Sequence, residues 1–247
     1  MTELLFSVVD PDSFADIPAP AQPGARCQTC DYWERLDGHR EGEDADAARS
    51  LKLSRLMAGE RTAGAYGMLA WQTGDDGDRL AVGWCQFGPI SAYPRAQVIR
   101  DRYPELPDSP APWVVTCLQV DETQPDREAA AAEILAAVCA ELDRRGIIAV
   151  EAYPEGVPEP WLPSPGPATV YSASGFNQVV GDERFPVYRR ELSGEGGEVG
   201  WGDLLSRARP PDEGDDWPLP MPKGPSEEDI FRLSDKPKRP NPFGDDE

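Results

Sequence analysis

The sequence predicts an α+β domain in which helices flank a mixed, mostly antiparallel sheet. The first observation is a strand–helix–strand order: a β-branched run, residues 113–120, precedes an alanine-rich helix and a second apolar strand, residues 147–153. The second is a pair of apolar runs, residues 65–72 and 80–87, separated by a turn rich in glycine and aspartate. Runs of this kind favour an antiparallel hairpin. Together they predict one layered domain.

Residues 4–9 read as the first strand, and residues 44–57 read as a helix. The expected buried face of that helix has helical spacing and comprises Ala47, Leu51 and Ser54 with Met57. The turn between the two hairpin strands is Gly74–Asp78. These elements form the first half of the predicted domain.

A proline-rich stretch, residues 103–112, predicts a connection before the strand at 113–120. The following helix runs to about Arg145, and Gly146 ends it. Its predicted buried stripe is Ala131, Leu135, Val138 and Leu142. Residues 176–180 and 187–192 are expected to close the sheet as an antiparallel pair.

Composition indicates a soluble, cytoplasmic protein. A net charge of −21 disfavours nucleic acid and anionic membranes as partners. No apolar run reaches the roughly 20 residues that a membrane span needs, and the first residues lack the features of a signal peptide. The five cysteines, an odd number placed mostly in apolar elements, are expected to be reduced thiols.

The composition changes near Ser193, so we expect an ordered domain at 1–193 and an acidic, proline-rich tail at 194–247. The tail carries nine prolines and a net charge of −7, and we expect it to be mostly disordered. Two apolar segments, 201–205 and 230–233, are candidates for docking on a protein partner. The alternative is a solubilising tail with incidental hydrophobic residues.

The order of these elements, ending in Tyr171-Ser-Ala-Ser-Gly-Phe176, resembles the GNAT superfamily of N-acyltransferases. A bacterial GNAT subgroup has similar motifs over about residues 20–192. They are the cysteine- and aromatic-rich segment Gly24–Glu34, Val82-Gly-Trp84, Tyr93-Pro-Arg95 and the run from Val150 to Pro154. The resemblance implies a GNAT-like fold, acetyl-CoA as co-substrate, and direct transfer of the acetyl group to a small-molecule or peptide amine.

The family binds the CoA pyrophosphate at a helix start with the pattern Gln/Arg-x-x-Gly-x-Gly/Ala, where helix amides are unpaired. The matching residues are Arg127, Glu128, Ala129, Ala130, Ala131 and Ala132. Ala130 replaces the first glycine, and its methyl group is the expected obstacle to the phosphate. Nearby carboxylates, Asp121, Glu122, Asp126 and Glu128, are expected to compete with the phosphate for the helix start.

The resemblance also assigns roles at the reacting centre. Leu118, Gln119 and Val120 would pair their backbone with the pantetheine arm, and Tyr171 would be the acid for the departing thiolate. The alternative for Tyr171 is a ring packed on the sheet. Glu151, at the end of the neighbouring strand, is a candidate base acting directly or through water, and the alternative is an exposed strand-end carboxylate.

Cys27 and Cys30 form a Cys-x-x-Cys pair, and His39 is the one histidine that could add a third metal ligand. A structural zinc site needs four ligands, so we expect no metal. A thioredoxin-like redox setting is also missing. We therefore expect the two thiols to pack near Tyr32 and Trp33, which are candidate walls of the acceptor pocket.

Two interpretations remain at this point. The first is an N-acetyltransferase that uses acetyl-CoA, favoured by Tyr171 and its Gly-Phe pair. The second is a GNAT-fold protein without catalysis that works as an interaction module through its tail, favoured by the altered phosphate loop.

Overall fold

A computed structural model describes residues 3–19, 26–36, 44–61, 63–74, 76–107, 110–154 and 165–194. Seven strands form one sheet in the order β1-β2-β3-β4-β5-β7-β6. The strands are β1 (Leu4–Val8), β2 (Gly67–Thr73), β3 (Arg79–Pro89), β4 (Trp113–Val120), β5 (Ala149–Ala152), β6 (Asn177–Val180) and β7 (Val187–Glu191). The α-helices are α1 (Ala45–Leu56), α2 (Pro94–Arg100), α3 (Arg127–Arg144) and α4 (Ala168–Ala173).

Only β4 and β5 pair in parallel, and every other neighbouring pair is antiparallel. The parallel pair is the one that the long helix α3 connects, because a parallel return needs a crossover. The predicted α+β class with a mixed, mostly antiparallel sheet is therefore confirmed.

The sheet buries side chains on both faces. On one face α3 and α4 pack over Met68, Cys85 and Leu118. On the other face two clusters are buried, one with Leu56 and Trp84 and one with residues of α2. Helices on both faces agree with the layered domain that the sequence predicts.

Helix α3 packs most closely at a glycine of β3. A Cβ atom at Gly83 would lie 2.6 Å from Cδ1 of Ile134 and 3.0 Å from the carbonyl oxygen of Gln119, so a larger residue here would require the helix side chain to move. The predicted stripe of Ala131, Leu135, Val138 and Leu142 is buried, as the helical spacing indicated. This contact fixes the start of α3 beyond the end of β4.

The predicted buried face of α1 is wrong. Leu51 is 45% exposed, whereas Lys52 and Leu56 are buried. The reason is an ion pair between the Nζ of Lys52 and an Oε of Glu34 at 2.6 Å, which permits a charged side chain to be buried. The spacing of hydrophobic residues does not predict that a lysine is buried and the adjacent leucine is exposed.

Helix α2 lies inside the stretch that joins β3 to β4 and was not predicted, although Pro94 occupies its first turn, a favoured position. In the part of the chain that the structure describes, no helix is long and apolar enough to cross a membrane. The predicted tail lies outside the described residues, apart from Gly194.

Candidate functional site

The parallel pairing of β4 and β5 is short and ends midway along β4. It joins residues 113–115 to residues 150–152, and β5 then ends. β4 continues to Val120 while pairing with β3 on its other side. A bulge at Thr116 shifts the register here, because Gln86 and Phe87 pair with Cys117 and Val115. Leu118, Gln119 and Val120 therefore lie on the part of β4 that β5 does not reach.

Helix α3 begins close to that end of β4. The Nη2 of Arg127 lies 3.5 Å from the carbonyl oxygen of Val120 and donates a hydrogen bond to it. Arg127 and Glu128 are exposed, so the first turn of the helix faces solvent. The structure thus brings together two of the predicted cofactor elements, the strand residues and the helix start.

The amides of the helix start are only partly available. The side chain of Asp126 caps the helix by accepting a hydrogen bond from the N–H of Ala129 at 3.0 Å. The N–H of Ala130 already bonds to the carbonyl of Asp126. Of the predicted residues 127–132, the first three have amides without a partner inside the helix, and the Asp126 cap occupies the amide of Ala129.

The expectation that the Ala130 methyl group obstructs the phosphate is also corrected. Ala130 is 8% exposed and belongs to the core between α3 and the sheet, as does Ala131. Ala132 is half-buried against the same core. The methyl group of Ala130 is therefore packed in the core, and the carboxylate of Asp126 is the group that occupies the helix start.

Tyr171 lies on α4 and is fully buried. Its hydroxyl donates a hydrogen bond to the carbonyl of Pro165. Its ring packs edge-on against Phe176 at 5.3 Å. Burial raises the pKa of the Tyr171 phenol well above its usual value, so the hydroxyl remains protonated. This is the state that a proton donor requires.

A short segment links Tyr171 to β4. Gly166 follows Pro165, whose carbonyl accepts the Tyr171 hydrogen bond. Gly166 has φ +92°, and a Cβ atom at this position would lie 3.3 Å from Cδ2 of Leu118. The predicted acid and the predicted pantetheine strand are thus neighbours across Pro165 and Gly166.

Glu151 is not an exposed strand-end carboxylate; its side chain is completely buried. It accepts hydrogen bonds from Arg189 at 2.7 Å, from Arg100 at 3.1 Å and from the Tyr153 hydroxyl at 3.0 Å. Two cations and a phenol thus surround the carboxylate. A base at this position would first have to release one of these donors.

Glu151 and Tyr171 also lie on opposite faces of the sheet. Val150 and Ala152, which flank Glu151 along β5, belong to the core that contains Tyr171. Side chains alternate along a strand, so Glu151 points to the other face, where Arg100 of α2 meets it. The structure does not bring the two predicted catalytic residues into one cluster.

Tyr32 and Trp33 differ in their surroundings. Trp33 is 4% exposed and stacks on Tyr153 with ring centroids 6.3 Å apart. Tyr32 is half-buried, and the guanidinium of Arg95 lies 4.1 Å from its ring centroid. Trp33 is therefore a core residue, and Tyr32 is the one of the pair that retains accessible surface.

Cys27 does not pack with Trp33, although such packing was predicted for the cysteine pair. Cys27 belongs to the core cluster of Trp84 and Cys117, whereas Trp33 belongs to the cluster of α2. All five cysteines are free thiols. Among the described residues, no group of three or more histidine, cysteine or acidic side chains is placed to hold a metal. His39 lies outside them.

A buried polar network on the same face as Trp33 was not predicted. Lys52 donates to Gln86 at 2.8 Å as well as to Glu34, and Gln86 donates to Glu34 at 2.8 Å. The hydroxyl of Tyr93 adds a bond to the Phe87 carbonyl. The second carboxylate oxygen of Glu34 is buried and has no hydrogen-bond partner. Little in the sequence indicates this network beyond the position of Glu34 at the end of the cysteine- and aromatic-rich segment.

Solved structures of similar fold are acetyltransferases. An arylalkylamine N-acetyltransferase-like protein from mosquito is 12% identical, covers 77% of this chain and 100% of its own, and has a TM-score of 0.46. A GNAT family N-acetyltransferase from Escherichia coli in complex with CoA is 17% identical, covers 79% and 85%, and has a TM-score of 0.40. A GNAT family acetyltransferase from Bacillus anthracis is 11% identical, covers 79% and 98%, and also has a TM-score of 0.40. No protein-family model matches the chain, and neither does any curated protein.

Proposed function

We propose that the chain is a GNAT-type N-acyltransferase that binds acetyl-CoA along β4 and the first turn of α3. The observation that carries the proposal is the short parallel pairing of β4 and β5, which leaves residues 116–120 beyond the reach of β5. A polypeptide-like arm such as pantetheine carries amide groups that can pair with a strand edge. The helix start that follows β4 offers amide donors to a pyrophosphate.

Arg127 is the cation of this proposed site. Its guanidinium lies at the end of β4, where it would meet a phosphate that approaches the first turn of α3. Asp126 opposes it, since its carboxylate occupies the same turn. The affinity for acetyl-CoA therefore depends on the balance between these two neighbouring charges.

In the proposed reaction the acceptor amine attacks the thioester carbonyl, the carbon–sulfur bond breaks, and the thiolate takes a proton from Tyr171. The acceptor nitrogen loses its extra proton to water, and water returns a proton to the Tyr171 oxygen. Because the Tyr171 hydroxyl donates to the Pro165 carbonyl, the thiolate would replace that carbonyl as its acceptor. Binding of acetyl-CoA would thus involve a shift of Pro165 and Gly166 away from Leu118.

The buried position of Glu151 supports a structural role rather than the predicted role as base. It joins β5 to β7 through Arg189 and to α2 through Arg100. The acceptor would approach from the side of Tyr32, the accessible aromatic residue of the segment. The proposed reaction transfers an acyl group to nitrogen, so the acceptor is expected to be an amine.

Calorimetry with acetyl-CoA at near-physiological salt tests the binding site. We expect saturable binding, and we expect Arg127→Gln to weaken it by roughly tenfold, because a charge-assisted bond contributes about 1.5 kcal/mol. Arg144→Gln is the matched control, since Arg144 lies at the opposite end of the same helix with a 70% exposed side chain. Equal affinities for the two variants would contradict the assigned site, and no binding at millimolar acetyl-CoA would favour the interaction-module interpretation.

A further inference from the structure

Two cysteines that are distant in the sequence meet on the face of the sheet opposite Tyr171. Cys27, from the cysteine- and aromatic-rich segment, and Cys117, from β4, belong to one core cluster. The two thiols interact closely enough that each affects the pKa of the other, lowering that of Cys27 and raising that of Cys117. The Cys-x-x-Cys spacing suggests Cys30 as the neighbouring thiol of Cys27, but the cysteine in the same core cluster is Cys117.

Cys27 also lines a cavity. A cavity of about 310 Å³ is lined by Cys27 together with Ile17, Arg26, Asp46 and Arg49. A water molecule occupies about 30 Å³ in the liquid. The cavity therefore has room for hydrogen peroxide, and Cys27 is the one thiol among the described residues that line it.

The surroundings of Cys27 favour its thiolate. Its pKa is lowered by its side-chain interaction with Cys117, against the opposing effect of burial, and further by the charge of Lys52. The pKa of Cys117 is raised by its bond to Cys27 and by burial, and burial raises the pKa of Cys30. The thiolate is therefore favoured at Cys27, the cysteine that lines the cavity.

We propose that Cys27 is a peroxide-reactive thiol that forms an intrachain disulfide with Cys117. The Cys27 thiolate attacks one oxygen of hydrogen peroxide, the O–O bond breaks, and hydroxide leaves and takes up a proton as water. The sulfur of Cys117 then attacks the Cys27 sulfenic acid, the S–O bond breaks, and a second water leaves with the thiol proton. The two thiols supply the two electrons that reduce the peroxide.

The test uses the reduced full chain, a limited dose of hydrogen peroxide, and differential alkylation read by mass spectrometry. We expect one disulfide that links the peptides of Cys27 and Cys117. Cys85 and Cys139 are internal controls and should remain thiols, because both are buried and burial raises their pKa values, that of Cys139 to about 11. A Cys27–Cys30 disulfide, or oxidation of Cys27 no faster than of Cys139, would overturn the proposal.

Variants separate the two steps. In Cys117→Ala the reaction should stop at a sulfenic acid on Cys27 that dimedone traps, whereas Cys30→Ala should still form the disulfide. Lys52→Met should slow the oxidation of Cys27 severalfold by removing the nearby charge. If these variants fold poorly, the alkylation pattern of the wild-type chain decides alone. Dimedone labelling of Cys117 in a folded Cys27→Ala variant, at the rate seen for Cys27, would contradict the assignment of the reactive sulfur.

Discussion

Replacing Glu151 by glutamine should unfold the domain at a much lower temperature, because it leaves the buried Arg189 and the half-buried Arg100 without their shared carboxylate. The side chain of Glu151 is 0% exposed, and those of Arg189 and Arg100 are 5% and 12% exposed. Removing one partner of a buried ion pair costs about 3–5 kcal/mol. For a domain of this size, 1 kcal/mol shifts Tm by about 2–4 °C, so the expected drop is at least about 6 °C.

Glu191→Gln is the matched control, because Glu191 contacts the same arginine. Its Oε1 lies 2.6 Å from the Nε of Arg189, but its side chain is 64% exposed. Exposed pairs contribute about 0–1 kcal/mol, so this variant should change Tm by less than about 4 °C. The two variants remove the same charge and differ mainly in burial.

Thermal unfolding followed by circular dichroism measures both variants. Equal Tm values for Glu151→Gln and Glu191→Gln would refute the reasoning from burial. A Glu151→Gln variant with wild-type Tm but a greatly reduced transfer rate would instead restore Glu151 as a base.

Three further outcomes are expected. Tyr171→Phe should lower kcat by about 10²- to 10⁴-fold with little change in KM. Tyr188→Phe is the control in the same cluster and should leave kcat unchanged. If chemistry limits the rate and a folded Tyr171→Phe variant is as fast as wild type, Tyr171 is not the acid. Asp126→Asn should tighten acetyl-CoA binding roughly fivefold. Asparagine keeps the helix cap and removes a carboxylate whose repulsion of the phosphate costs about 1 kcal/mol. Weaker binding in calorimetry would contradict this. Truncation after Ser193 should leave Tm and binding unchanged, and a drop of several degrees would place the domain boundary further along the chain.

Periodicity and turn residues were sufficient to predict most of the fold. The α3 stripe through Leu135 and Leu142 is buried as expected, and the hairpin at Gly74–Asp78 forms where its glycines and aspartates indicated. These elements depend on local patterns that recur within a few residues. Helix α2 was missed because its seven residues follow a Pro-containing stretch and have only a short apolar pattern.

Charged residues in the core were the main failures of prediction. Glu151 was expected at a strand end, as a candidate base or as an exposed carboxylate, and Lys52 was not among the residues expected on the packed face of α1. Each is buried because its partner comes from elsewhere in the sequence: Arg189 is 38 residues from Glu151, and Glu34 is 18 residues from Lys52. A single sequence does not show which distant charges will meet.

The candidate site was predictable to the level of elements. The sequence placed the strand residues 118–120, Arg127 and Tyr171 in neighbouring elements, and in the structure Arg127 bonds to Val120 while Gly166 connects the surroundings of Tyr171 to Leu118. The cap at Asp126 and the inward packing of Ala130 depend on the rotation of α3 about its axis. That rotation is set by tertiary packing against β3.

A crystal structure of the full chain grown with acetyl-CoA tests the central claim most directly. We expect electron density for the pyrophosphate over the amides of Arg127 to Ala129, the pantetheine arm along Leu118 to Val120, and the thioester sulfur within hydrogen-bonding distance of the Tyr171 hydroxyl. The same structure should show Pro165 and Gly166 displaced from Leu118. A structure at saturating acetyl-CoA with no density at β4, or with the ligand bound elsewhere, would contradict the proposed acyltransferase.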